Sequence, residues 1–126
     1  MTLYKLCLLA VAIINLLPVL GLFSAERLAQ GYGITIADND LHILLRHRAL
    51  MFGIIGGFMI YALFVPVAQA AAMVLAGISM VGFLVLALAL GPYNDALRTV
   101  VVVDIAGIVA LAIAAVLRGA GLAQAA

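Results

Sequence analysis

The side chains in this sequence that could do chemistry are few, and most of them are charged residues inside or beside long apolar runs. Asp104 is the most informative, because it lies several residues inside the apolar run 95–117. A carboxylate facing lipid at mid-depth costs on the order of 2.5–3.5 kcal/mol, so it is expected to face other protein. Arg98 is the nearest base in sequence, but six residues turn about 240° around a helix, so the two do not share a face. The run Arg46-His47-Arg48, at the head of another apolar stretch, supplies better partners, and Asn15, inside a third, can add a hydrogen bond. Tyr93 and Glu26 are placed to line the mouth of such a site. The three arginines Arg46, Arg48 and Arg98, with His47, outnumber the one buried acid, which points to a polar, net-basic pocket suited to an anionic headgroup or small anion. The expected ligand-binding set is therefore Asn15, Arg46, His47, Arg48, Tyr93, Arg98 and Asp104. The same residues also fit an internal salt bridge that fixes helix register while the remaining arginines anchor at the headgroups.

Other chemistries are less well provided for. Asp38-Asn39-Asp40-Leu41-His42 has metal-ligand residue types, but capping the next helix accounts for its carboxylates, and no metal site is expected. The one cysteine, Cys7, sits in an apolar run and reads as packing. No nucleotide-binding glycine loop, G-x-S-x-G elbow or H-E-x-x-H pair occurs, so no catalytic residue is assigned and no cofactor follows. With six Lys and Arg in all and no cluster able to follow a phosphate backbone, nucleic acid is excluded as a partner.

The elements that must position these groups are set by composition. Of 126 residues, 69% are hydrophobic and 9% charged, against roughly 45–50% and 25% in a soluble domain. Such a chain needs lipid as part of its solvent. Four spans are expected, at about 3–22, 41–65, 67–90 and 95–117, within one all-α transmembrane domain covering 1–126. Lys5 before an apolar stretch mimics a secretory signal, but no small-x-small pair closes the run near Gly21–Ala25, so the first segment is read as a retained span. Pro18 is expected to kink it. A short surface helix is expected at about 24–30, with Ser24 as N-cap, Glu26 in its first turn and Gly31 as its stop. Pro66 is expected to open the third span, and Asn94 to cap the fourth.

These spans predict a left-handed up-down-up-down four-helix bundle. Gly53 and Gly57 on the second span, and Ala106, Ala110 and Ala114 on the fourth, are candidate close-contact seams. Tyr4 and Tyr61 read as aromatics at the membrane interface. With four crossings the termini share one side, and the polar set converges on the opposite half. That half also holds most of the arginines, which by the positive-inside rule would face the termini outward, unless the arginines belong to a pocket.

The stretches Ile14-Asn15-Leu16-Leu17-Pro18, Leu44 through Gly53 (LLRHRALMFG) and Tyr93-Asn94-Asp95-Ala96-Leu97-Arg98 resemble a group of small four-span inner-membrane proteins of Gram-negative bacteria whose function is unassigned. The resemblance runs over nearly the whole chain and implies a multi-pass protein of the inner (cytoplasmic) membrane. Members often carry the label phosphopantetheine adenylyltransferase, which does not suit this sequence: that soluble α/β nucleotidyltransferase has an H-x-G-H motif, and neither the motif nor a sheet is found here. The general shape is also similar to the DoxX-like membrane proteins.

Three functions compete on this reading. The first is a binding or accessory membrane protein that holds a lipid headgroup or small anion, or supports a larger membrane complex, alone or as a homo-oligomer. The second is a small redox or lipid-modifying enzyme. The third is an oligomeric transporter or channel, which ranks last because the half near the termini offers little beyond Gln69 and Tyr61 to line a path.

Overall fold

The structure, a computed structural model, describes residues 1–124, and every regular element among them is helical. In chain order these are α1 (Leu3–Leu16), α2 (Ala25–Tyr32), α3 (Asn39–Phe64), α4 (Gln69–Leu90) and α5 (Asp95–Gly119), with 3₁₀ turns at Leu17–Leu22, Pro66–Ala68 and Leu122–Gln124. Four segments are long and apolar enough to cross a membrane: Leu3–Leu22, Asn39–Phe64, Pro66–Leu90 and Asp95–Gly119. Each reaches the roughly 20 residues that a hydrocarbon core of about 30 Å requires.

Local sequence explains where the helices begin. Asp38 Oδ1 accepts a hydrogen bond from the Leu41 amide at 2.8 Å, and Asn94 Oδ1 accepts from the Leu97 amide at 2.8 Å, each satisfying a first-turn N–H that the helix cannot pair itself. Ser24 does the same for α2, accepting from Arg27 at 3.4 Å.

One expected boundary shifts, and two prolines act through 3₁₀ turns. The surface helix runs past Gly31 and stops at Gly33, whose left-handed backbone (φ 62°) lets its amide reach Gln30 and the Ile34 amide reach the Ala29 carbonyl. Glycine adopts that conformation without steric cost, which is why it ends helices. At Pro18 the first span tightens into a 3₁₀ turn over Leu17–Leu22, since proline offers no amide to the α-helical ladder. Pro66 opens the third span as expected, through a 3₁₀ turn that leads into α4, and Val65 before it is extended, as a residue preceding proline tends to be.

α1 packs against both α3 and α5, and α4 lies against α5 and α3. Its buried residues Tyr4, Cys7, Leu8, Val11, Ala12 and Asn15 recur at the three- and four-residue spacing of one helix face. They meet Met59, Ala62 and Leu63 of α3 and Met73, Ala76 and Met80 of α4. A second apolar cluster joins Leu28 and Tyr32 of α2 to Leu45 and Ala49 of α3.

The tightest approach of α1 to α3 is at Gly56, where a Cβ would lie 2.6 Å from the Leu16 side chain and 3.1 Å from the Ala12 carbonyl oxygen. Of the G-x-x-x-G pair expected to form the seam, Gly53 does approach Val19, at 3.2 Å, but a Cβ at Gly57 would meet nothing within 4 Å. On α5, Ala114 is buried and Ala106 is exposed. Outward-facing Leu20, Phe64, Val67, Leu88 and Val116 are among many large apolar side chains left uncovered. Water does not tolerate so extensive an apolar surface, and with four spans the chain is a multi-pass membrane protein.

Tyr4 is not an interface aromatic. It is buried, and its hydroxyl donates to Gln69 Oε1 at 2.9 Å. Arg118 Nη1 donates to the same oxygen at 3.0 Å, and Gln69 Nε2 donates to the Ala62 carbonyl at 3.1 Å. These bonds tie four of the helices together through one amide. Tyr61, by contrast, is exposed and stacks on Phe58.

The connection between α1 and α3 is latched from the other end of the chain. Asn94 Nδ2 donates to the Tyr32 carbonyl at 2.9 Å and to the Gly33 carbonyl at 3.0 Å, while its oxygen caps α5. Asn94→Ala is expected to cost about 1–2 kcal/mol, from the lost cap and the freed carbonyls. Asn94→Asp keeps the cap but not the amide donors. It should raise hydrogen exchange over residues 25–38 while changing thermal stability less than the alanine variant, and equal exchange in both variants and the parent would show that no latch exists.

Candidate functional site

Between α1, α2, α3 and α5 lies a cavity of ≈220 Å³, walled by Asn15 and Pro18, Tyr32, Arg48, and Thr99 and Asp104 among others. Each wall follows from a feature already described. Asn15 is on the buried face of α1, Tyr32 is the last residue of α2 before the Gly33 stop, and Asp104 lies three residues from buried Val101 and from Gly107 on α5. Arg48 lies on the inward stripe of α3, three residues after Leu45 and four before Phe52.

The guanidinium of Arg48 is surrounded by rings. Its carbon lies 5.5 Å from the centroid of Tyr32, 5.1 Å from Phe52 and 5.1 Å from Phe83. Aromatic faces attract a cation electrostatically, more so away from water, so this cage holds the charge while leaving hydrogen-bond donors unused. Arg48 Nε is one of them: it is buried and has no hydrogen-bond partner. Asn15 is in the complementary state. Its Nδ2 donates to the Val11 carbonyl at 2.9 Å, and its Oδ1 is buried and unpartnered. Asp104 is buried on the same cavity, and among the described residues the one ion pair within 4.0 Å is the exposed Arg98–Asp95 contact at 3.9 Å, so Arg48 and Asp104 line one cavity without a direct ion pair.

Leaving a buried polar group unpaired costs roughly 1–3 kcal/mol. Asn15 and Arg48, each with one such atom, both line the cavity, which suits a guest able to donate to the amide and accept from the guanidinium. The cavity, ≈220 Å³, is below the roughly 300–1,000 Å³ of sites for drug-sized ligands, which suits a headgroup-sized fragment or a few waters.

Of the seven residues expected to bind ligand, the structure brings Asn15, Arg48 and Asp104 together. Arg46 points elsewhere: its Nε donates to the Leu22 carbonyl at 2.9 Å, tying α3 to the 3₁₀ turn after α1. His47 and Arg98 are exposed. Tyr93 does not line this cavity but lies with Arg48 along a neighbouring groove near the start of α5. Glu26 is exposed on α2. The cavity thus holds one base and one acid instead of a basic excess. Tyr32, Phe52, Phe83 and Thr99 were not singled out in the sequence. Phe52 is four residues from Arg48, on the same helix face, and that spacing is the signal that marks Arg48 over its two neighbours. Among the described residues no three His, Cys, Asp or Glu side chains gather as metal ligands.

Comparison of the chain with protein-family models, with curated proteins and with solved structures finds no match.

Proposed function

We propose that this chain is an inner-membrane protein of binding or accessory type, whose four spans form a left-handed up-down-up-down bundle around a site for a small polar or anionic group such as a lipid headgroup. What supports this most is the pairing of unpartnered Asn15 Oδ1 with unpartnered Arg48 Nε around the cavity that Asp104 also faces. Because Asp104 offsets the charge of Arg48, the best guest carries an anionic oxygen for the guanidinium and an adjoining hydroxyl or amine for the amide and carboxylate oxygens. The resemblance to small Gram-negative four-span proteins is the ground for the inner membrane. The other polar cluster favours a structural role over a second half of a transport path, since Tyr4 and Arg118 both donate to Gln69.

The reading is tested by native mass spectrometry of the detergent-extracted full chain, looking for a co-purifying molecule. Asp104→Asn should lower its occupancy about tenfold, whereas Asp38→Asn, which alters an exposed helix cap, should leave occupancy unchanged. If the two variants retain the molecule equally, the cavity is not its site.

A further inference from the structure

We infer that the group held at Arg48 is the head of an anionic phospholipid that enters sideways from the membrane, with an acyl chain lying in the groove between α3 and α4. The inference rests on the headgroup reading above and adds the class of ligand and its route.

Arg48 lines three hollows: the internal cavity, the groove it shares with Tyr93, and a groove between α3 and α4. The last of these, of ≈310 Å³, is mostly apolar: Met51, Phe52 and Ile55 of α3 and Gly82, Phe83 and Leu86 of α4 line it, with Ser79 of α4 as the one other polar side chain. Phe52 and Phe83, which flank the guanidinium, line this groove as well. Met51 and Leu86 are exposed, so the groove opens on the lipid-facing surface. From Arg48 to Ile55 is seven residues, about 10 Å along a helix axis, enough for the upper part of one acyl chain.

The groove's occupant is identified by charge as well as by shape. A mostly apolar track that ends at one half-buried cation matches an amphiphile with an anionic head, and a guanidinium can offer two N–H groups side by side in a fork that fits two phosphate oxygens. Arg48 Nε has no hydrogen-bond partner within the protein. Acyl chains gain little by leaving bulk lipid for an apolar groove, so selectivity must come from the head and from the groove's width. Gly82 lines the groove. A Cβ there would meet nothing within 4 Å, so no close approach of protein requires the glycine. Glycine inside a helix costs about 1 kcal/mol relative to alanine, and the room it leaves in the groove floor is room for a guest.

The test uses the full-length chain released from nanodiscs of mixed phosphatidylglycerol and phosphatidylcholine, with retained lipid read by native mass spectrometry. The parent protein is expected to retain phosphatidylglycerol in preference to phosphatidylcholine by about tenfold. Gly82→Leu, which fills the groove from a position with free space, is expected to remove that preference while helix content and thermal midpoint stay at parental values. Should that variant lose its fold, Met51→Trp narrows the same groove from α3 and should give the same loss. Soluble glycerol phosphate should not displace the retained lipid; if it binds the parent and Gly82→Leu alike, the site takes a free anion and the lateral route is overturned. If both groove variants keep phosphatidylglycerol while Asp104→Asn loses it, the cavity reading stands and the groove inference fails. Equal retention of the two lipids by the parent would show only an unselective lipid shell, and would overturn the inference.

Discussion

Replacing Arg48 with leucine is expected to lower the unfolding free energy in detergent by about 3 kcal/mol, and adding Asp104→Leu in the same chain is expected to return a large part of that loss. Removing one member of a buried pair of opposite charges leaves the other uncompensated, which is the costly case, whereas replacing both with apolar groups is often close to neutral. The two side chains share one cavity without touching, so their coupling acts through the low-dielectric space between them. The single variant also removes the cation from the faces of Tyr32, Phe52 and Phe83. The check is a double-mutant cycle on denaturant or thermal unfolding. An interaction energy between about 0.5 and 3 kcal/mol, opposing the single losses, is the expected result. Strictly additive effects would mean that Arg48 and Asp104 ignore each other, and the site would reduce to a packing gap.

The second large effect is expected at Gly56. A leucine there must displace the Leu16 side chain and press on the Ala12 carbonyl, and overpacking of this kind costs about 1–3 kcal/mol or more. Its neighbour provides the control. Gly57 is exposed and would meet nothing within 4 Å, so Gly57→Leu should change stability by less than about 0.5 kcal/mol. Thermal unfolding of the two variants side by side decides the matter. If Gly57→Leu were the more damaging, the G-x-x-x-G face would be packing against something outside the single chain.

That contrast shows which information a sequence of this kind carries. Helix starts are legible because a cap is a local event: Ser24, Asp38 and Asn94 each bond an amide three residues on, and side-chain type announces it. Depth in the membrane is legible too, because rise per residue is constant. Azimuth is harder. Arg46, His47 and Arg48 are consecutive and therefore about 100° apart, so only one can face inward, and the choice depends on the phase of the whole α3 stripe of Leu45, Ala49, Gly56 and Met59. The same one-residue ambiguity separates Gly56 from Gly57. The Tyr4–Gln69–Arg118 bonds lay beyond reach for a different reason: they require the relative height of α1, α4 and α5, which no short window of sequence encodes. The helix C-terminus at Gly33 instead of Gly31 shows a smaller case, in which either glycine could end the helix and the position of Tyr32 against Leu45 and Ala49 selects one.

The attachment of Asn94 to the Tyr32 and Gly33 carbonyls bears on how the protein is made. A ribosome delivers residue 33 long before residue 94, so a nascent chain that has already inserted its first two spans still lacks the amide that fastens the loop between them. Until α5 emerges, Tyr32 is held by its packing against Leu45 and Ala49, without the Asn94 bond. The chamber around Arg48 is thus closed only when α5, which brings Thr99 and Asp104, has joined the spans made before it.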